Sequence, residues 1–237
     1  MKIPASGPGD GMIILMTIRN VLAGLRLLFA VATLTAIGIQ LGIHIGHGFS
    51  VLNFFSYFTN LSNIFASVML IVAALYLLRR KELGPVGQVI RCSSVVCMAL
   101  VGIVFSALLR DVDLGSLLPW INVLLHYVMP VIVVVDWLVQ SPPRPVKFRS
   151  LWIAVLIPIA YLAYSMIRGA AINWYAYPFL NPNTSGGYGA VALTCVIIAV
   201  AFFAVSALLV VLANRLRPLV PAPGAHSGAT ASAPAAR

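Results

Sequence analysis

The groups best able to do covalent chemistry in this chain are a hydroxyl and an imidazole set inside apolar stretches. They are Thr59, within FFSYFTNLSN (54–63), and His126, which opens HYVMPVIVVVDWL (126–138). A threonine hydroxyl is a weak nucleophile until a base removes its proton, and a neutral imidazole is the usual base near pH 7. An ester carbonyl attacked in this way needs hydrogen-bond donors where its oxyanion develops. Asn60, Asn63 and Asn122 are the candidate donors. Asn122 precedes His126 by four residues, one helical turn on the same face, so it could also orient the ring. Ser56, Thr59, Asn60, Asn63 and Ser67 recur at intervals of three or four and predict one polar helical stripe. Such a stripe also serves as glue between membrane helices, and a lone histidine can simply satisfy a neighbouring carbonyl. Spacing leaves both readings open. No acidic residue lies at the depth of His126, and Asp111 and Asp113 are the nearest candidates for a third member.

The elements that must position these groups follow from composition. Of 237 residues, 61% are hydrophobic and 8% charged, with a mean hydropathy of +1.02. A water-soluble domain cannot cover its surface with so little polar material. Crossing a hydrocarbon core of about 30 Å takes about 20 mostly apolar residues in a helix. Six segments qualify: Val21–Gly42, Phe54–Leu78, Cys92–Leu109, Leu117–Val135, Leu151–Ile167 and Ala190–Ala213, with Arg26 the single charge inside them. Lipid offers the backbone no hydrogen-bond partners, and the runs lack the alternation of barrel strands, so the expected fold is all-α and polytopic.

Apart from Arg26, the 15 Lys and Arg sit towards the ends of these runs, as residues that meet anionic head groups do, and not as a nucleic-acid patch. Lys2 and Arg19 precede span one, and Arg79, Arg80, Lys81 and Arg91 separate spans two and three. Arg144, Lys147 and Arg149 separate spans four and five, and Arg215, Arg217 and Arg237 follow span six. The bias predicts both termini on the cytoplasmic side of a cell membrane, a bacterial plasma membrane. A cytoplasmic lead-in (1–18) would precede a membrane domain (19–217) and a disordered tail (218–237) rich in Ala, Pro, Gly and Ser.

Thr59 lies roughly 8 Å below the outer start of span two and His126 roughly 9 Å below that of span four, at the helical rise. The two groups are thus expected at one depth in the outer half of the bilayer. Arg110 and Arg168, at the outer ends of spans three and five, could hold a lipid carboxylate or phosphate, or only anchor helix ends. The outer loop Asn173–Gly189 carries Trp174, Tyr175, Tyr177, Phe179 and Tyr188, an interfacial belt or a lid over an outer pocket. Ser56 and Tyr177 are further candidates for contact with a substrate. His44 and His47 have a metal-compatible spacing, but two histidines make no metal site, and neither metal nor organic cofactor is called for. Asp136 and Arg26, near the inner ends of their spans, could pair or snorkel separately. Cys92, Cys97 and Cys195 fall in apolar runs without zinc spacing and are read as small core residues.

The segments FFSYFTNLSN, HYVMPVIVVVDWL and WYAYPFLNP (174–182) together resemble a bacterial six-span membrane family related to the androgen-induced AIG/ADTRP proteins of animals. Those relatives hydrolyse fatty acid esters of hydroxy fatty acids with an intramembrane threonine and histidine. The resemblance implies Thr59 as nucleophile, with Ser56 and Ser62 as alternative hydroxyls, and His126 as base, followed one turn later by Pro130. It implies a membrane lipid ester as substrate. The competing expectation is a non-catalytic protein that binds or moves lipid, or an assembly partner.

Overall fold

The computed structural model describes residues 8–147 and 151–216. Lys2, Arg149, Arg217, Arg237, the first seven residues of the lead-in and the tail 218–237 lie outside the described residues. Within them the chain is α-helical, without strands, and six helices are long and apolar enough to cross a membrane. It is a multi-pass membrane protein. The elements are α1 (Pro8–Gly46), α2 (Val51–Phe55), α3 (Phe58–Leu78), α4 (Pro85–Val104), α5 (Pro119–Val123), α6 (Met129–Val139), α7 (Leu151–Ile172) and α8 (Tyr188–Arg215). Span three runs on from α4 through a wide π turn, Phe105–Leu109. Span four is α5, a second π turn at Leu124–Val128, and α6.

Most spans run past their sequence limits. The lead-in is helical from Pro8 and continuous with span one, and Arg91, expected in a connection, lies buried in α4. Span two is shorter: Tyr57 takes an extended backbone, so α2 and α3 are separate helices and Ser56 falls in the break.

Helices α1, α3, α4 and α6 form the core, and α7 and α8 lean on it from outside. Ala23, Ala30 and Ala36 of α1 and Ala66, Ala73 and Ala74 of α3 are fully buried or nearly so. Small residues on facing helices let backbones approach closely, which substitutes in lipid for a hydrophobic driving force.

At one end of this core the Asp136 carboxylate is held between two guanidinium groups. Arg26 donates from Nε to Oδ1 at 2.6 Å and Arg91 from Nη2 to Oδ2 at 2.8 Å. The second positive charge is met by dipoles. Arg91 also donates to the main-chain oxygens of Asp136 (2.9 Å) and Gln140 (2.8 Å), the last carbonyls of α6, where a helix end favours cations. Arg26 reaches Gln140 Oε1 at 2.7 Å and the Ala73 carbonyl of α3 at 3.4 Å. One cluster therefore ties all four core helices. Removing one partner of a buried ion pair leaves an uncompensated charge and costs about 3–5 kcal/mol. Asp136→Asn is expected to lower the unfolding free energy by that amount in detergent titrations. An unchanged midpoint would show that the helices hold without the carboxylate.

Candidate functional site

Proline builds the local geometry around His126. Pro130 has no N–H to give the carbonyl four residues back, which is that of His126, and span four accommodates the loss as the π turn Leu124–Val128. Beside it Gly102 of α4 lets the helices meet. A Cβ there would stand 3.0 Å from Pro130 Cβ and 3.7 Å from the His126 carbonyl oxygen. The π turn of span three, Phe105–Leu109, then lays Phe105 on the imidazole, with ring centroids 3.8 Å apart. His126 Nδ1 lies 3.1 Å from the Asn122 carbonyl oxygen. A carbonyl only accepts, so Nδ1 carries the proton and Nε2 presents a lone pair. Asn122 does orient the ring, through its main chain.

The break at Ser56–Tyr57 puts Thr59 in the first turn of α3, not deep within a longer helix. First-turn N–H groups lack intrahelical acceptors. Thr59 N–H donates to Tyr177 Oη at 3.3 Å, and the two hydroxyls lie 3.4 Å apart. Burial pushes the Tyr177 phenol up from its ordinary value, so it is protonated and able to donate at neutral pH.

Thr59 and His126 line one cavity of about 890 Å³, together with Gln40, Asn53, Asn60, Asp113 and residues of the loop after α7. No hydrogen bond joins Thr59 to His126 among the described residues. Asn63, fully buried, sets their relation. Its Nδ2 donates to the Thr59 carbonyl at 2.9 Å and the Leu125 carbonyl at 3.2 Å, pinning α3 to the turn that carries His126. Asn60 Nδ2 donates to the Phe54 carbonyl at 2.8 Å and bridges the α2–α3 break. Two of the three asparagines expected as oxyanion donors, Asn60 and Asn63, thus spend amide hydrogens on the backbone, because unpaired carbonyls are expensive in lipid. Tyr177, read from the sequence as a belt or lid residue and a substrate contact, brings its hydroxyl against that of Thr59. Its place was out of reach of spacing, since 118 residues separate the two.

The remaining candidates divide. Ser56 leaves the stripe: its Oγ donates to the Leu52 carbonyl at 2.7 Å and lies 2.7 Å from Tyr164 Oη. Arg168 Nη2 donates to Asn53 Oδ1 at 2.6 Å, and its guanidinium lies 4.7 Å from the Trp174 ring centroid. Arg110 pairs with neighbouring Asp111 in an exposed position away from the cavity lining. His44 and His47 line the cavity and bond to the Ser50 and Ile43 carbonyls, and among the described residues no three metal-ligating side chains gather. Trp174, Tyr175, Tyr177, Pro178, Asn181 and Thr184 bring the loop over the cavity. The loop rests on α7, where a Cβ on Gly169 would collide with the Tyr175 ring.

The fold and this site define a multi-pass membrane protein with a polar cavity at one end of a helical core, a hydroxyl at the head of one helix and an imidazole in its wall. No family model, curated protein or solved structure matches the chain.

Replacing Asn63 by Ala should lower stability by about 1–2 kcal/mol, the value of an interhelical side-chain bond in lipid, as read by detergent titration. A fully neutral outcome would mean that backbone packing alone holds α3 to the second π turn. Gly169→Val should displace Tyr175 and speed cleavage within 173–187 in limited proteolysis; an unaltered cleavage rate would show that the loop does not depend on this contact.

Proposed function

We propose that this protein hydrolyses fatty-acyl esters within a cell membrane, with Thr59 as nucleophile and His126 as base. The observation that carries the reading is one cavity lined by a hydroxyl and by an imidazole whose Nδ1 proton is fixed on a carbonyl, leaving Nε2 free to accept. The likeness to the six-span AIG/ADTRP-related family supports it. The charge bias of the sequence supports an orientation with both termini inside and the cavity in the outer leaflet of a bacterial plasma membrane.

Thr59 Oγ1 attacks the carbonyl carbon, and its proton passes to His126 Nε2. A bridging water, or closure on the substrate, completes a path that catalytic groups often leave open when unliganded. The Tyr177 hydroxyl donates to the oxyanion, the task that Asn60 and Asn63 leave vacant. Collapse breaks the ester C–O bond, and the departing alkoxide takes the proton from His126. A water molecule, deprotonated by the same nitrogen, then attacks the acyl-threonine and releases the fatty acid. Arg168, stacked on Trp174 beside Asn53, stands where it can attract an anionic lipid group to the mouth of the cavity.

A non-catalytic lipid-binding protein is the second reading, favoured by the contact that satisfies the Thr59 hydroxyl on Tyr177 without a base. Labelling separates the two. Thr59→Ala and His126→Ala should each abolish reaction with an acyl-directed fluorophosphonate. His126→Ala should lower ester hydrolysis about 10²–10⁴-fold. Tyr177→Phe should lower kcat about 10²–10³-fold with little change in KM. Labelling that survives both alanine substitutions removes the hydrolase.

A further inference from the structure

A second space meets the polar cavity at the candidate nucleophile. Helices α7 and α8 touch each other little while both lean on α4, and an apolar groove of about 160 Å³ lies between the three. Its floor is Val101 of α4 and Phe105 of the π turn that follows it, with Phe202 of α8, all buried; Ile159 and Phe203 at its rim are exposed on the outer surfaces of α7 and α8. Thr59, Phe105, Leu109 and Tyr177 line both spaces. Another apolar groove, on the α3 side of α7, reaches Phe58 and Tyr161 but does not include Thr59.

The two spaces suit opposite halves of an amphiphile. The groove belongs to three spanning helices, so it opens into hydrocarbon, and a polar group placed there would lose its hydrogen bonds without compensation. The cavity offers the amide nitrogens of Asn53 and Asn181 and the Asp113 carboxylate as partners for hydroxyl groups. Between them stands one hydroxyl able to attack.

We propose that the fatty-acyl chain whose carbonyl Thr59 attacks lies in the α4–α7–α8 groove, and that the alcohol half of the ester lies in the polar cavity. This assignment rests on the hydrolase reading and orients the substrate within it. When the C–O bond breaks, the alcohol takes the proton from His126 and leaves through the cavity. The acyl-threonine keeps its chain in the groove until water adds, and the fatty acid then departs sideways into the bilayer. Acyl-chain length is read along α8, past Cys195 and Ala199, which line the groove.

The test uses the full chain in phosphatidylcholine nanodiscs with a fluorogenic umbelliferyl ester of palmitate bearing a diazirine at the chain terminus. Photo-adducts are mapped by peptide mass spectrometry in wild type, in Thr59→Ala, which holds the ester uncleaved, and in Ala199→Phe, which fills the groove. Adducts should concentrate on the α4 and α8 segments that line the groove, and Ala199→Phe should reduce them about tenfold. The same substitution should lower the palmitoyl-to-butanoyl ratio of kcat/KM about tenfold, as added bulk in an apolar pocket does. Adducts confined to the loop over the polar cavity, with hydrolysis intact, overturn the orientation and leave the hydrolase standing. Groove adducts lost in Ala199→Phe, without hydrolysis by the wild type, keep the groove as an acyl site and remove the hydrolase. Adducts on α8 that Ala199→Phe does not change are ordinary lipid contact and overturn the proposal.

Discussion

The core of this protein depends on the carboxylate of Asp136, because it is the one acidic group that the two buried arginines share. A charged side chain in the apolar part of a helical bundle is tolerated only when partners replace its water. Here the partners come from α1 and α4, and the carbonyl end of α6 meets the charge left over. The arrangement constrains α1, α3, α4 and α6 at one end of the bundle. It leaves the other end free to be shaped by breaks, wide turns and loops.

At that other end the same scarcity of hydrogen-bond partners explains most of the geometry. Pro130 removes a donor and the helix widens; Gly102 admits the proline ring; Phe105 then lies on His126. Asn63 fills the demand of two carbonyls and by doing so fixes the head of α3 against the wall that holds the imidazole. Tyr177 meets a first-turn N–H of α3 that no residue of its own helix can satisfy. Each of these contacts is a solution to backbone accounting, and together they gather a hydroxyl, an imidazole and a phenol around one cavity.

The spans were legible in the sequence because their signal is additive along the chain: six runs, each long enough to cross a bilayer. Their ends were less so. Arg91 reads as a loop charge by position, and only its partner Asp136 explains why it is buried. The pairing of Arg26 with Asp136 was one of two readings the sequence allowed, and the structure decides for it at 2.6 Å. Ser56 reads as a member of the polar stripe by spacing, and the extended backbone at Tyr57 removes it. Asn60 and Asn63 read as donors to a ligand, since their chemistry is right. What spacing could not convey is that main-chain carbonyls claim their amide hydrogens first.

By itself the sequence determined that this is a helical membrane protein, which stretches cross, and which hydroxyls and imidazole lie among apolar neighbours, because transfer free energy is a local property of each residue. Only the tertiary structure decided which groups meet. Tyr177 reaches Thr59 across 118 residues and Arg26 reaches Asp136 across 110. Contacts of that kind depend on how each helix is rotated and how closely its neighbours approach, and rotation is set by the whole set of packed faces, not by any one run of residues.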